Sequence, residues 1–203
     1  MPGPRAPEEE RRQQIVNAAY AVALRTGIDG VTLRRVATKA GLSHGLVVFY
    51  FKQKDQLIAA LLDRVLATSS MLDVSERFTD IAEAPERMRA LLRQELGRLA
   101  RDTHATRLFF EYWALGVRKP AIRQKIGAAL ERYRAAFSAT AAEMLPVETS
   151  ASSELTADGL AAVAVSLING FAVQAMIDPQ HFDRSAYIAA VDALVERLTS
   201  VPR

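Results

Sequence analysis

Apolar residues recur every three or four positions along most of the chain, which is the spacing of one face of an α-helix. The first stripe, from Ile15 to Ala23, follows three glutamates that suit the positive end of a helix, and Gly27 ends it. We therefore predict a first helix over residues 8–26. Later stripes predict helices from about residue 53, over about 85–101, one ending near 116, and over about 121–145, 154–177 and 184–199. The pattern indicates an all-α protein of about nine helices.

Between residues 31 and 54 the apolar spacing breaks into two short segments joined at Gly41. Thr32 is a good N-cap for the first segment and Ser43 for the second, because their hydroxyls accept hydrogen bonds from helical amides. The inward row is predicted to be Leu42, Val47 and Phe51. Two short helices that meet at a tight turn form the helix-turn-helix layout, whose second helix can enter a DNA major groove.

The second short segment leaves apolar and aromatic residues for its outer side. They are Ser43, His44, Gly45, Val48, Phe49 and Tyr50. Apolar side chains can touch thymine methyl groups, His and Ser can hydrogen-bond bases or phosphates, and Gly45 permits close approach. Lys54 lies at or near the start of the next helix, where an anion is favoured, and would reach a phosphate. The pattern predicts a surface that meets DNA.

The charge of this stretch supports that prediction more than the charge of the whole chain does. The 203 residues carry a net charge of only +3, with 50% hydrophobic and 24% charged residues. Residues 31–54 contain no acid but five bases, namely Arg34, Arg35, Lys39, Lys52 and Lys54. A local basic segment favours contact with phosphate groups.

Other functional classes find little support in the sequence. The three histidines His44, His104 and His181 are far apart, cysteine is absent, and no metal, nucleotide or catalytic motif is visible. We therefore expect no enzyme, cofactor or metal site. Residues 1–7 contain three prolines and are predicted to be a disordered leader without the apolar core of a secretory signal. We expect that no stretch of the sequence approaches the uncharged apolar run of about 20 residues that a membrane-spanning helix requires. The expected location is therefore the cytoplasm.

The run from residue 15 to residue 62 resembles the DNA-binding domain of the tetracycline-repressor (TetR) family. The shared marks are Ile15, Ala18–Ala19, Gly27, Val31–Thr32, Val36–Ala37, Ala40–Ser43, Gly45, Tyr50–Phe51, Lys54 and Leu57. The resemblance implies a DNA-binding head over residues 8–62, a helical regulatory and dimerisation domain over 63–203, and a homodimer. It also implies a repressor that leaves a palindromic operator when a small-molecule effector binds.

The resemblance also implies roles for individual residues. Arg34 would touch phosphate or a base edge. Three residues would lie along the groove, namely His44, Gly45 and Phe49. Four would fix the DNA backbone, namely Thr32, Ser43, Tyr50 and Lys54. Many members of the family carry hydroxyl side chains where this chain has Leu46 and Val48, so we expect more apolar contact with DNA and transfer no base preference.

The later residues suggest an effector site. Glu95 falls inside an apolar stripe, where it would either pair with an arginine or balance a cationic effector. The aromatic run before Gly116 resembles the BetI-like branch of the family, and aromatic rings either pack as core or form a cage for a quaternary ammonium group. The candidate effector residues are Glu95, Phe109, Tyr112, Trp113, Tyr133, Phe137 and Asn169.

The two last helices suggest the dimer contact. The helix near residues 154–177 is apolar nearly all round and must be covered on both sides. Together with the last helix it would form a four-helix interface across a two-fold axis. The rival interpretation is a helical interaction module, or a small-molecule-binding protein, without DNA function. Salt-dependent binding to duplex DNA would discriminate between them.

Overall fold

The computed structural model describes residues 7–68, 78–145 and 155–199, and within these ranges the chain forms nine α-helices and no strand. They are α1 (Glu8–Thr26), α2 (Leu33–Ala40), α3 (His44–Tyr50), α4 (Lys54–Thr68), α5 (Ala84–Arg101), α6 (Thr103–Arg118), α7 (Pro120–Met144), α8 (Ala157–Ile177) and α9 (Arg184–Thr199). The predicted all-α fold is confirmed. The predicted leader, except for Pro7, lies outside the described residues, and so do all the residues 146–153, whose sequence is polar.

Local sequence signals set the ends of the short helices. The hydroxyl of Thr32 accepts a hydrogen bond from the amide of Arg35, and that of Ser43 accepts one from the amide of Leu46, both at 3.2 Å. Gly41 ends α2 with a φ of 67°, in the left-handed region where a side chain is strained. The predicted N-caps and turn are confirmed.

The chain divides into two compact units. The first unit combines Met1–Ser69 with His104–Ile126, and the second combines Ser70–Thr103 with Gly127–Arg203. Most of α6 and the first residues of α7 therefore belong with the helix-turn-helix, although they follow α5 in the sequence. The division of function near residue 62 remains a proposal.

The first unit is organised around α1. This helix packs against α2 and α4, and α2 packs against α3. Val47 and Phe51 are completely buried, as predicted, whereas Leu42 is only half-buried. Burial of such large apolar side chains stabilises the unit by about 1.5–3 kcal/mol each. The core therefore fixes the inner row of α3 and leaves its outer row accessible.

The second unit is built on α5, which packs against α8 and α9. The helix α8 buries Ile168 and Phe171 but exposes Val163, Val173 and Ile177. Among the described residues it is the one helix that is long and apolar enough to cross a membrane. The expectation that no segment approaches that composition was therefore wrong, although core helices of soluble proteins pass the same test. The exposed side of α8 still requires a cover.

Candidate nucleic-acid interface and regulatory site

The outer row of α3 forms an accessible surface. Phe49 is 72% exposed, and its ring meets the ring of Tyr50 edge-on, with 5.3 Å between the centroids. Ser43, His44 and Gly45 are exposed, while Val48 is half-buried. A Cβ atom at Gly45 would meet no atom within 4 Å, so the helix surface is open there. Four of the six residues of the predicted outer row are therefore exposed, whereas Val48 and Tyr50 are half-buried, and their contact with DNA stays a prediction.

The hydroxyl groups of the cap residues Thr32 and Ser43 can donate a hydrogen bond in addition to the one that they accept. Thr32 and Ser43 use an oxygen lone pair to accept from the amides of α2 and α3. A hydroxyl group can also donate its hydrogen, and both side chains are exposed. Arg34 is exposed on α2. These groups have the chemistry that phosphate oxygens require.

The loop of residues 27–32, which joins α1 to α2, holds two of the basic side chains. The Nζ atom of Lys54, the first residue of α4, donates to the carbonyl of Asp29 at 3.3 Å. The Nη1 atom of Arg35 donates to the carbonyl of Gly30 at 3.1 Å. Two cations of the predicted DNA surface are thus tied to one short loop.

Sequence reasoning missed the side chains of α1 that hold α2 and α3. The guanidinium of Arg12 lies 4.4 Å from the ring centroid of Phe51, and its Nη1 atom donates to the carbonyl of Tyr50 at 3.4 Å. The amide of Gln14 donates to the carbonyl of Ala40 at 2.9 Å. Cation–π attraction and these hydrogen bonds fix the last turns of both short helices. The polar spacing of α1 contains no signal for such distant partners.

The helix α6 and Lys119, the residue that follows it, contribute a second set of contacts to the first unit. The Tyr112 hydroxyl donates to the carbonyl of Ile58 at 2.8 Å, and Lys119 pairs with Asp55 at 2.6 Å. Burial, and then the charges of Asp63 and Glu111, raise the pKa of Tyr112 well above its ordinary value. The phenol, which is protonated at neutral pH, therefore stays a donor to α4 even at alkaline pH values where an ordinary tyrosine ionises. This role explains the complete burial of Tyr112 without a ligand.

The two other aromatic candidates on α6 lie in the same unit as Tyr112. Phe109 is buried and Trp113 is half-buried, and their ring centroids are 5.8 Å apart. The indole Nε1 atom of Trp113 is enclosed and has no hydrogen-bond partner among the described residues. An enclosed N–H group without a hydrogen-bond partner costs desolvation free energy, so a ligand that offers this indole an acceptor would gain binding free energy.

The buried carboxylate of the second unit is Glu95, which is 0% exposed. Its Oε2 atom accepts from Arg98 Nε at 3.0 Å, from Arg98 Nη2 at 2.8 Å and from the Tyr133 hydroxyl at 2.9 Å. The predicted ion pair with an arginine is therefore confirmed. Burial, followed by the charge of Glu95, raises the pKa of Tyr133, so its hydroxyl remains a donor.

The other oxygen of Glu95 is different. Oε1 is enclosed and has no hydrogen-bond partner among the described residues. The ring of Phe137 meets that of Tyr133 edge-on at 5.4 Å, and Asn169 is half-buried on α8. The structure thus brings Glu95, Tyr133 and Phe137 together in one unit, whereas Phe109, Tyr112 and Trp113 belong to the other. Within the described ranges, no group of three acidic or histidine side chains is arranged to hold a metal ion.

Known proteins resemble the chain along most of its length. A family profile described as "Bacterial regulatory proteins, tetR family" matches residues 15–61, and one described as "BetI-type transcriptional repressor, C-terminal" matches residues 84–200. The HTH-type transcriptional regulator BetI of Cronobacter sakazakii is 30% identical over 178 residues, which cover 85% of this chain and 83% of that protein.

Two solved structures share the fold. A putative transcriptional regulator from Saccharomonospora viridis, in complex with choline, is 22% identical with a TM-score of 0.74. The match covers 93% of this chain and 97% of that chain. The transcriptional regulator FadR from Bacillus subtilis, in complex with stearoyl-CoA, is 20% identical with a TM-score of 0.67. The match covers 94% of this chain and 99% of the FadR chain. The profiles account for both the helix-turn-helix and the later helices. This chain therefore belongs to the tetR family of bacterial regulatory proteins, with the C-terminal domain of BetI-type transcriptional repressors.

Proposed function

We propose that the protein is a cytoplasmic repressor that binds a palindromic operator as a homodimer and is released by a small-molecule effector. The observation that carries the DNA-binding role is the accessible outer row of α3, with Phe49 72% exposed and with exposed Lys52 and Lys54 close after it in the sequence. A large exposed aromatic ring on a capped seven-residue helix has no role in the core of the unit. Family membership favours this function over a helical module without DNA binding.

The proposed interface divides into base-reading and phosphate-binding residues. His44, Gly45, Val48 and Phe49 face the major groove, and Thr32, Arg34, Ser43, Tyr50 and Lys54 contact the backbone. For adjacent turns, two copies of α3 must reach successive grooves about 34–36 Å apart. The ammonium group of Lys54 has three hydrogens, so it can donate to a charged phosphate oxygen while it keeps its hydrogen bond to the carbonyl of Asp29.

We expect Lys54→Ala to weaken binding to every duplex by a similar factor, because a phosphate contact carries no base information. The slope of log affinity against log salt should fall by about 1. Fluorescence anisotropy with labelled duplexes at several salt concentrations measures both quantities. Arg134→Ala, which removes an exposed cation of the second unit, is the matched control and should leave the slope unchanged.

Phe49→Ala distinguishes base contact from phosphate contact in the same assay. It should change the ranking of operator variants rather than the salt slope, because it removes an apolar surface and no charge. An unchanged affinity of Lys54→Ala at moderate salt would refute the phosphate role of Lys54.

The effector site is proposed at Glu95, with Tyr133, Phe137 and Asn169. The charge of Glu95 is already paired with Arg98, so the group that this carboxylate still needs is a hydrogen-bond donor to Oε1. Because Oε1 is enclosed, a ligand reaches it only when neighbouring side chains move. Binding at this atom would therefore favour a different conformation, as release from DNA requires. The assignment of Phe109, Tyr112 and Trp113 to the effector site stays a prediction.

Choline is the first compound to test, since it carries a hydroxyl donor and one fold neighbour holds it. Added to a preformed operator complex, it should lower the DNA affinity of the natural protein. Glu95→Gln should need at least about tenfold more choline, because an amide oxygen is a weaker acceptor than a carboxylate. A complex that choline leaves intact would exclude choline as the effector, and an unaltered response of Glu95→Gln would exclude this site.

The dimer is proposed to form through α8 and α9. Val163, Leu194 and Leu198 are each about half-exposed. They line a groove of about 400 Å³ between α5, α8 and α9, and among the described residues that line it Arg197 is the only charged one. A second copy of the chain would cover this apolar face, since a two-fold interface is self-complementary. The helix α9 is held for this contact by the pair of Arg93 with Asp192 at 2.6 Å.

A further inference from the structure

One carboxylate of the first unit binds the loop that carries the DNA-facing cations. The Oε2 atom of Glu111, on α6, accepts a hydrogen bond from the amide of Ile28 at 2.6 Å. Gly27 has a φ of 71°, and a Cβ atom there would lie 2.8 Å from Oε2 and 2.9 Å from Oε1. The backbone conformation therefore requires glycine at this position, and a side chain there would displace the Glu111 carboxylate that lies against it.

Arg107, one turn earlier on α6, supports this contact. Its Nη2 atom donates to the carbonyl of Leu24 at 3.0 Å, and its Nε atom lies 3.5 Å from Oε1 of Glu111. A carboxylate alone would be unfavourable beside the negative end of α1, and the guanidinium offsets that repulsion. Arg107 and Glu111, one turn apart on α6, thus bind the end of α1 and the start of the loop of residues 27–32.

The other side of the same loop faces the basic residues. The carbonyl of Asp29 accepts from Lys54, and the carbonyl of Gly30 accepts from Arg35. The amide that Glu111 binds and these two carbonyls lie within three consecutive residues. The amide of Val31 donates to the carbonyl of Ile28 at 3.1 Å and closes this turn, so a displacement at Ile28 is transmitted to the carbonyls of Asp29 and Gly30.

We propose that Glu111 is a positioning residue for DNA binding, which acts on Lys54 and Arg35 through the loop of residues 27–32. A shift of α6 moves the carboxylate, the loop follows, and the two cations change their position relative to the phosphates. This inference rests on the proposed DNA-binding role of Lys54. It adds a route from α6 to the DNA surface through the loop of residues 27–32, beside the contacts that Tyr112 and Lys119 make with α4.

The test is a double-mutant cycle between Glu111 and Lys54, read as affinity for one operator duplex. Glu111→Ala should lower affinity about tenfold, because it removes a hydrogen bond to a charged acceptor that orders the loop. Glu111→Gln should restore most of that affinity, since its amide oxygen can still accept from Ile28. Lys54→Ala should cost clearly less in the Glu111→Ala background than in the natural protein, because the lysine is already misplaced.

The outcomes separate the two proposals. If Lys54→Ala has no effect in the natural protein, the phosphate role of Lys54 fails. An alternative outcome is that Lys54→Ala lowers the affinity of the natural protein by the same factor as it does in the Glu111→Ala background. In that case the phosphate role of Lys54 stands and the positioning role of Glu111 is refuted. Glu131→Ala, at an exposed position of α7 in the second unit, is the control and should not couple to Lys54. Circular dichroism of each variant confirms that the helices are retained.

Discussion

Glu95→Leu is expected to lower the melting temperature by about 10 °C, because loss of one member of a buried ion pair costs about 3–5 kcal/mol. The substitution leaves the Arg98 side chain, which is only 22% exposed, without its carboxylate. It also leaves the hydroxyl of Tyr133 buried without its acceptor. Differential scanning calorimetry at one protomer concentration measures the change, since the proposed dimerisation would make melting depend on concentration.

Three further variants test whether the loss of stability in Glu95→Leu comes from the unpaired polar groups. Glu131→Leu replaces an exposed glutamate of α7 and should shift the melting temperature by only a small amount. Adding Tyr133→Phe to Glu95→Leu removes the orphaned hydroxyl and should recover part of the loss. Adding Arg98→Met as well should recover most of it, because apolar replacements of similar volume can match a buried ion pair. A Glu95→Leu protein as stable as the natural one would contradict this account.

The helices and their turns were predictable because their signals are local. Thr32 and Ser43 bind amides three residues away, and Gly41 adopts its own left-handed conformation. The pairing of Glu95 with Arg98 spans three residues on one helix, so the expected arginine partner was also within reach of the sequence. Such interactions depend on the helix alone and not on the packing around it.

The contacts that organise the site were not predictable, because their partners are distant in the sequence. Glu111 and Ile28 are 83 residues apart, and Tyr112 and Ile58 are 54 apart. Gly27 was correctly predicted to end α1, but its second role, room for the Glu111 carboxylate, appears only in three dimensions. Tyr112 was proposed as an effector residue from aromatic spacing, and the structure shows that its hydroxyl serves α4. Spacing identifies a shared face but not what that face meets.

The double substitution Leu194→Glu with Leu198→Glu is expected to give a monomer with at least about 100-fold lower affinity for a full palindromic operator. Both leucines lie on the exposed side of α9. In a self-complementary interface each new carboxylate enters an apolar contact together with its copy, so the cost is incurred twice. Analytical ultracentrifugation measures the assembly state, and anisotropy measures the affinity.

A half-operator separates loss of the dimer from loss of the head. The monomeric variant should bind a single half-site as well as one head of the natural protein does, because α3 and Lys54 belong to the other unit. Val117→Glu is the control, since Val117 is 76% exposed and belongs to the first unit. A double variant that remains dimeric would show that α9 does not form the interface. A monomer with full affinity for the palindrome would show that each head binds alone, and the proposed requirement for two linked heads would then fall.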